Sequence, residues 1–135
     1  RENNLEDRVI LTRLEKGISL SLQEVILFDT AKANIKPEGR PYLESITDML
    51  LAIDNPIVIE GHTDVRPINT SQYPSNWELS AHRALTVLHF MENRGMDPAR
   101  LQISAFGEYQ PIDEHNLDRN RRVDIIVLRQ DAQPQ

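Results

Sequence analysis

Apolar and polar residues alternate from Ile18 to Gln23, with Ile18, Leu20 and Leu22 on one side and Ser19, Ser21 and Gln23 on the other, which predicts a half-buried strand. Val25 to Phe28 reads as a continuation of that strand or as a second one, and Asp29 to Lys36 as a loop. Pro37 is placed to open a helix in its first turn. Leu43, Ile46, Leu50 and Ile53 then recur at helical spacing as a core stripe, and Asn55-Pro56 ends the helix. Ile57, Val58 and Ile59 form a short β-branched strand that stops at Glu60-Gly61. The periodicity returns to that of a helix after Ser75, an N-cap with Glu78 three residues on as its capping-box partner. This helix runs from Asn76 to about Arg94, with Gly95 as a left-handed cap.

Leu101, Ile103 and Ala105 alternate in the next strand, so Ile57 to Leu101 is a βαβ unit whose two strands should lie parallel. A last strand, Arg122 to Arg129, is apolar on nearly both faces and is expected inside the sheet. Ahead of all this, residues 1–17 carry Leu5, Val9, Ile10, Leu11 and Leu14 at loosely helical spacing, with Gly17 as a stop. They predict an amphipathic linker helix. Residues 18–129 then form the domain proper, and the polar residues 130–135 a disordered tail.

A chain of 135 residues with 39% hydrophobic content suits one compact domain. The net charge of −6, with Arg119, Arg121 and Arg122 as the one basic cluster, leaves no electrostatic footprint for nucleic acid. Without cysteine there is no thiol catalysis, no cysteine metal site and no disulfide. No apolar run approaches the roughly 20 residues of a membrane-spanning helix, and no signal peptide is visible, so the chain as given is expected to be soluble.

The chemistry concentrates between Gly61 and Ala84. Asp64 follows the end of a strand, where open α/β sheets expose their sites. Asn76, Ser80 and Arg83 share one face of the helix, and Trp77, Ala81, Ala84, Leu88 and Met91 form a separate apolar stripe expected to pack on the sheet. A carboxylate for an ammonium, with a guanidinium and helix-start amides for a carboxylate, describes a receptor for a zwitterionic, amino-acid-like ligand. The bland alternative is a salt bridge between Asp64 and Arg83. His62 and Asp64 offer two ligands with no third at a suitable spacing, so no metal is expected and no cofactor is implied. Hydrolase and phosphate-loop motifs are missing, which points to a binding module and away from an enzyme.

Gly61-His62-Thr63-Asp64, Leu79-Ser80, Arg83-Ala84 and Asn120-Arg121-Arg122-Val123, in this order, resemble the OmpA-like peptidoglycan-binding domain. The resemblance runs from about Val25 to about Leu128 and includes Phe28-Asp29-Thr30. It implies an α+β two-layer sandwich of order β-α-β-α-β-β, a mixed sheet covered by helices. It also implies that Asp64 and Arg83 hold the diaminopimelate of a peptidoglycan stem peptide, that Thr63, Leu79 and Ser80 shape the pocket beside Asn76, and that one of the two adjacent arginines braces it. Adjacent strand residues face opposite ways, so at most one of them can do so; Arg122 is the expected one.

The long connection Val65 to Pro74, followed by Ser-Asn-Trp-Glu-Leu-Ser, is similar to the flagellar stator proteins of the MotB type and their sodium-driven relatives. That likeness implies a noncatalytic wall anchor, a homodimer, a channel partner of the MotA type and a membrane helix upstream, with this domain outside the cytoplasm. The alternative is the wall anchor of a Pal-like or porin-linked envelope protein.

Overall fold

The computed structural model describes residues 9–130. The strands are β1 (Val9–Leu14), β2 (Gly17–Gln23), β3 (Ile57–His62), β4 (Leu101–Gly107) and β5 (Arg122–Leu128). The helices are a single turn α1 (Glu24–Leu27), then α2 (Arg40–Leu51) and α3 (Asn76–Asn93). One sheet holds all five strands in the order β1-β2-β5-β3-β4. β3 and β4 are parallel, and β5 lies between β2 and β3, antiparallel to both. From β2 onward, with the turn α1 set aside, the order is β-α-β-α-β-β, a mixed sheet covered by helices as the resemblance implies.

The core fills the space between the sheet and the two long helices. Leu22, Ile57, Ile59, Val123 and Ile125 come from the sheet, meeting Leu43, Ile46 and Leu50 of α2 and Ala84, Val87 and Met91 of α3. β5 is buried along nearly its whole length, in keeping with its central place. Pro37 opens a 3-10 turn, Pro37–Gly39, that leads into α2, and Gly95 takes the left-handed conformation just past α3 with φ of 110°.

Four expectations are corrected. Val9–Leu14 is a strand, paired antiparallel with β2 from Val9↔Leu22 to Leu14↔Gly17, where a linker helix was expected; residues 1–8 of that helix, and residues 131–135 of the tail, lie outside the described residues. Gly17 is no helix stop: a Cβ there would lie 2.0 Å from the Val127 carbonyl oxygen, so a strand crossing β5 this closely must be glycine. Glu24–Leu27 is one helical turn and not a strand, because the Glu24 amide donates to the Arg121 carbonyl and closes the β2–β5 ladder there. Ile53, predicted in the α2 stripe, lies past the helix end and is exposed.

The buried face of α3 also differs from the one expected. Asn76, Leu79, Ser80, Arg83, Ala84, Val87 and Met91 turn inward, whereas Trp77 stays 48% exposed. Gly61 is the reason. A Cβ on Gly61 would lie 2.0 Å from the carbonyl oxygen of Ser80, so the helix backbone presses directly on β3. Small polar side chains fit that gap because each finds a partner: the Ser80 hydroxyl donates to the Trp77 carbonyl and accepts from the Gly107 amide. Trp77 lies over Gly107 and stacks on Tyr109 with ring centroids 5.2 Å apart.

Two outcomes follow from this packing. Gly61→Ala should destabilise the fold by at least about 1–3 kcal/mol, since the clash is with backbone and cannot be relieved by a rotamer change; urea denaturation measures it. The Ser75 hydroxyl and the amides of Ser75 and Glu78 hold the Glu78 carboxyl below its usual range. Its contribution is therefore complete above the unfolded-state pKa of about 4.3 and fades as pH falls through the lower folded value. Glu78→Gln should flatten the fall of stability with acid below pH ~4.3, read by urea melts at stepped pH.

Candidate functional site

β3 ends at His62, and the chain leaves the sheet through Thr63, whose amide donates to the Gly107 carbonyl at 2.8 Å. Asp64 follows and is 3% exposed. The N-cap Ser75 hydroxyl accepts from the Trp77 amide, as the capping signature predicts. Asn76 then points its amide group at the carbonyls of Asp64 and Arg66 and at the Glu108 carboxylate, tying the helix start to the strand end. Two turns of α3 bring Arg83 to the same region. The connection between them, residues 65–74, is pinned at its far end by buried Tyr73, whose hydroxyl lies 2.7 Å from His82 Nδ1 and which packs with Ala33 and Leu79.

These elements enclose a cavity of about 290 Å³ lined by Thr63, Asp64, Asn76, Leu79 and Arg83, with Glu24, Arg66 and Arg121 among the other walls. Five of the seven predicted site residues therefore meet around one space. Ser80 is completely buried beneath it and serves the packing of α3 on β4. Arg122 faces away, with Nε 3.0 Å from Asp124 Oδ2 and Nη2 3.2 Å from the Gln110 carbonyl.

Arg121 takes the place expected of Arg122. The register decides it: Arg122 lies opposite His62 and on the same side as Asp124, which puts it on the sheet face away from the helices. Residue alternation alone says that one arginine of the pair faces the site, and the register says which.

Asp64 and Arg83 are not bonded to each other. Arg83 Nη1 lies 2.8 Å from Glu24 Oε2, Nε donates to the Lys32 carbonyl at 2.7 Å and Nη2 to the Asp29 carbonyl at 3.2 Å. Its guanidinium also sits 4.7 Å over the ring of Phe28. Burial lowers the pKa of Arg83 from its ordinary value, and the charge of Glu24 opposes that shift. Arg121 bridges the two carboxylates, with Nε on Glu24 at 2.8 Å and Nη1 on Asp64 at 2.7 Å. Arg66 completes the row: Nε lies 2.8 Å from Asp64 Oδ2, Nη2 contacts the same oxygen, and the Arg66 amide donates to Oδ1 at 2.9 Å.

Charges thus alternate as Arg83, Glu24, Arg121, Asp64 and Arg66, three cations against two anions along the cavity. A space with a carboxylate at one end and a guanidinium at the other can take a ligand carrying both charges. Of the helix-start amides, that of Trp77 donates to the Ser75 hydroxyl and that of Leu79 to the Ser75 carbonyl. Glu24, Arg66 and Arg121 were missed from sequence; Glu24 had no signal beyond a carboxylate at a strand end, and Arg66 only its place two residues after Asp64.

On the opposite face of the sheet, Glu60, His62 and Asp124 bring three ligand atoms within 4.8 Å of one another. His62 Nε2 lies 3.1 Å from Glu60 and 3.7 Å from Asp124. The positive charge beside this group is supplied by Arg122.

The OmpA family model matches residues 27–124. Motility protein B of Bacillus subtilis is 32% identical over 139 residues, covering 98% of this chain and 53% of that protein. The periplasmic domain of Helicobacter pylori MotB superposes with a TM-score of 0.84 at 27% identity, over 92% of this chain and 83% of that one. The cell wall anchor of the type VI secretion system of Pseudomonas aeruginosa gives 0.85 at 30% identity, over 94% and 92%. The chain spans about half the length of the curated relatives it matches. With a family model covering most of the sequence, and the fold of the MotB periplasmic domain around a cavity built at the end of β3, this chain belongs to the OmpA family.

Proposed function

We propose that the cavity binds the zwitterionic end of diaminopimelate in peptidoglycan stem peptides, and that the domain is a noncatalytic anchor holding a flagellar stator to the cell wall. The observation that carries this reading is the single cavity walled by buried Asp64 and buried Arg83. In it Asp64 accepts the ligand ammonium and Arg83 faces the ligand carboxylate, with Arg121 beside them. Thr63, Leu79 and Asn76 complete the walls.

The stator assignment is supported by the similarity to Motility protein B and to the MotB periplasmic domain, and by the long 65–74 connection. In this reading the domain lies outside the cytoplasm at the wall. It works as a homodimer, which adds avidity to weak single contacts. A membrane segment beyond the matched region joins it to a channel partner of the MotA type; no helix among the described residues is long and apolar enough to cross a membrane. The equally close likeness to a secretion-system wall anchor favours a second reading, in which the same pocket tethers a different envelope machine.

Asp64→Ala and Arg83→Ala, each checked for folding by circular dichroism, should lower retention on purified insoluble peptidoglycan by about tenfold to a hundredfold, the worth of one charge-assisted contact. Undiminished retention in both variants would overturn the reading. Release of soluble muropeptides by the wild type would place the domain among enzymes instead. Loss of swimming with an intact envelope in a deletion strain favours the stator over the second reading.

A further inference from the structure

The carboxylate assigned to the ligand ammonium is already occupied. Asp64 Oδ2 receives Arg66 Nε at 2.8 Å, Arg66 Nη2 and Arg121 Nη1 at 2.7 Å, while Oδ1 takes the Arg66 amide at 2.9 Å. A carboxylate offers about four lone-pair positions, so Oδ2 with three donors is saturated. An incoming ammonium would meet two guanidinium groups at its target, and like charges at such range repel strongly.

The two arginines are not held equally. Arg121 is 26% exposed and pairs with three carboxylates, those of Glu24, Asp64 and Asp118. The Arg66 side chain is 50% exposed, and its one further carboxylate partner, Asp118, is itself 67% exposed. Its backbone is fixed independently, through the Arg66 amide on Asp64 and the Arg66 carbonyl that accepts from Asn76. The guanidinium can therefore leave by side-chain rotation alone, with the loop in place.

We propose that Arg66 is a built-in competitor: its guanidinium stands in the cation subsite of Asp64, and a ligand ammonium binds by displacing it toward solvent. This rests on the reading of Asp64 as the ammonium acceptor. The exchange conserves charge, one cation leaving as another arrives, whereas binding with Arg66 in place would add a third cation around one carboxylate. Apparent affinity is then reduced by the fraction of molecules in which Arg66 is closed. The device also sets selectivity, since a ligand without a primary ammonium has nothing to offer in exchange and leaves the gate shut.

The test is calorimetric titration of a soluble diaminopimelate-containing muropeptide into the wild type, Arg66→Ala and Asp64→Ala, with the Arg66 Nε–H resonance followed by NMR in the wild type. Arg66→Ala should bind about three- to tenfold more tightly, the range expected when a half-exposed ion pair no longer competes. The Nε–H signal should be slowed in exchange in the free protein and lose that protection at saturation. Asp118→Asn, which loosens the exposed end of Arg66 and also takes one partner from Arg121, should tighten binding less than Arg66→Ala does. Unchanged or weaker binding by Arg66→Ala, with binding still lost in Asp64→Ala, overturns the competition and leaves the ligand site standing. Retention of the protected Nε–H in the saturated complex overturns it as well. Failure of both the wild type and Arg66→Ala to bind would remove the ammonium-acceptor reading itself, and the competition with it.

Discussion

The contact between Gly61 of β3 and the backbone of Ser80 in α3 governs the rest of the site. With no side chain between them, the helix lies on the strand at backbone distance, and the Ser80 hydroxyl joins it to Gly107 at the end of β4. Three elements are thereby locked at the end of the parallel strand pair. Asp64 leaves β3 just beyond this contact, and Arg83 sits one turn after Ser80, so both charges are delivered to the same cavity by rigid structure.

Burying Glu24, Asp64 and Arg83 side by side is expensive unless each is paired. The fold meets that demand by alternation. Arg121 links Glu24 to Asp64, Glu24 in turn neutralises Arg83, and the carbonyls of Asp29 and Lys32 each take a further donor of Arg83. The network crosses elements far apart in sequence: the end of β2, the loop after β3, the second turn of α3 and the entry to β5. It therefore exists only in the assembled domain. In the proposed function a ligand that enters replaces partners and does not merely fill space, which favours a molecule that carries both signs of charge.

Much of this was legible in the residues. Strong periodicity gave α3 and its caps, the β-branched run gave β3, and doubly apolar β5 announced its central position. The failures share a physical cause. Val9–Leu14 carries an ambiguous apolar spacing, and the turn at Glu15-Lys16 that folds it back on β2 was overlooked in favour of a helix stop at Gly17. For α3, the apolar spacing marks a stripe through Trp77 as the buried face, but close approach at Gly61 admits serine and asparagine there and excludes an indole. Arg121 and Arg122 were distinguishable only through register against β3, a long-range property that local sequence does not encode. Asp64, Arg83, Thr63, Leu79 and Asn76 meet around one cavity because a strand end and a capped helix start fix their own neighbourhoods.

Joint recognition of two opposite charges on one ligand residue is the core of the proposed function. It is tested most directly by comparing retention of the wild-type domain on insoluble peptidoglycan whose stem peptides carry diaminopimelate with retention on peptidoglycan that carries lysine at that position, where the side chain ends in an ammonium without a carboxylate. Firm retention on the first and little on the second is the expected outcome. Equal retention on both would mean that Arg83 has no ligand carboxylate to hold, and the zwitterion receptor would be contradicted.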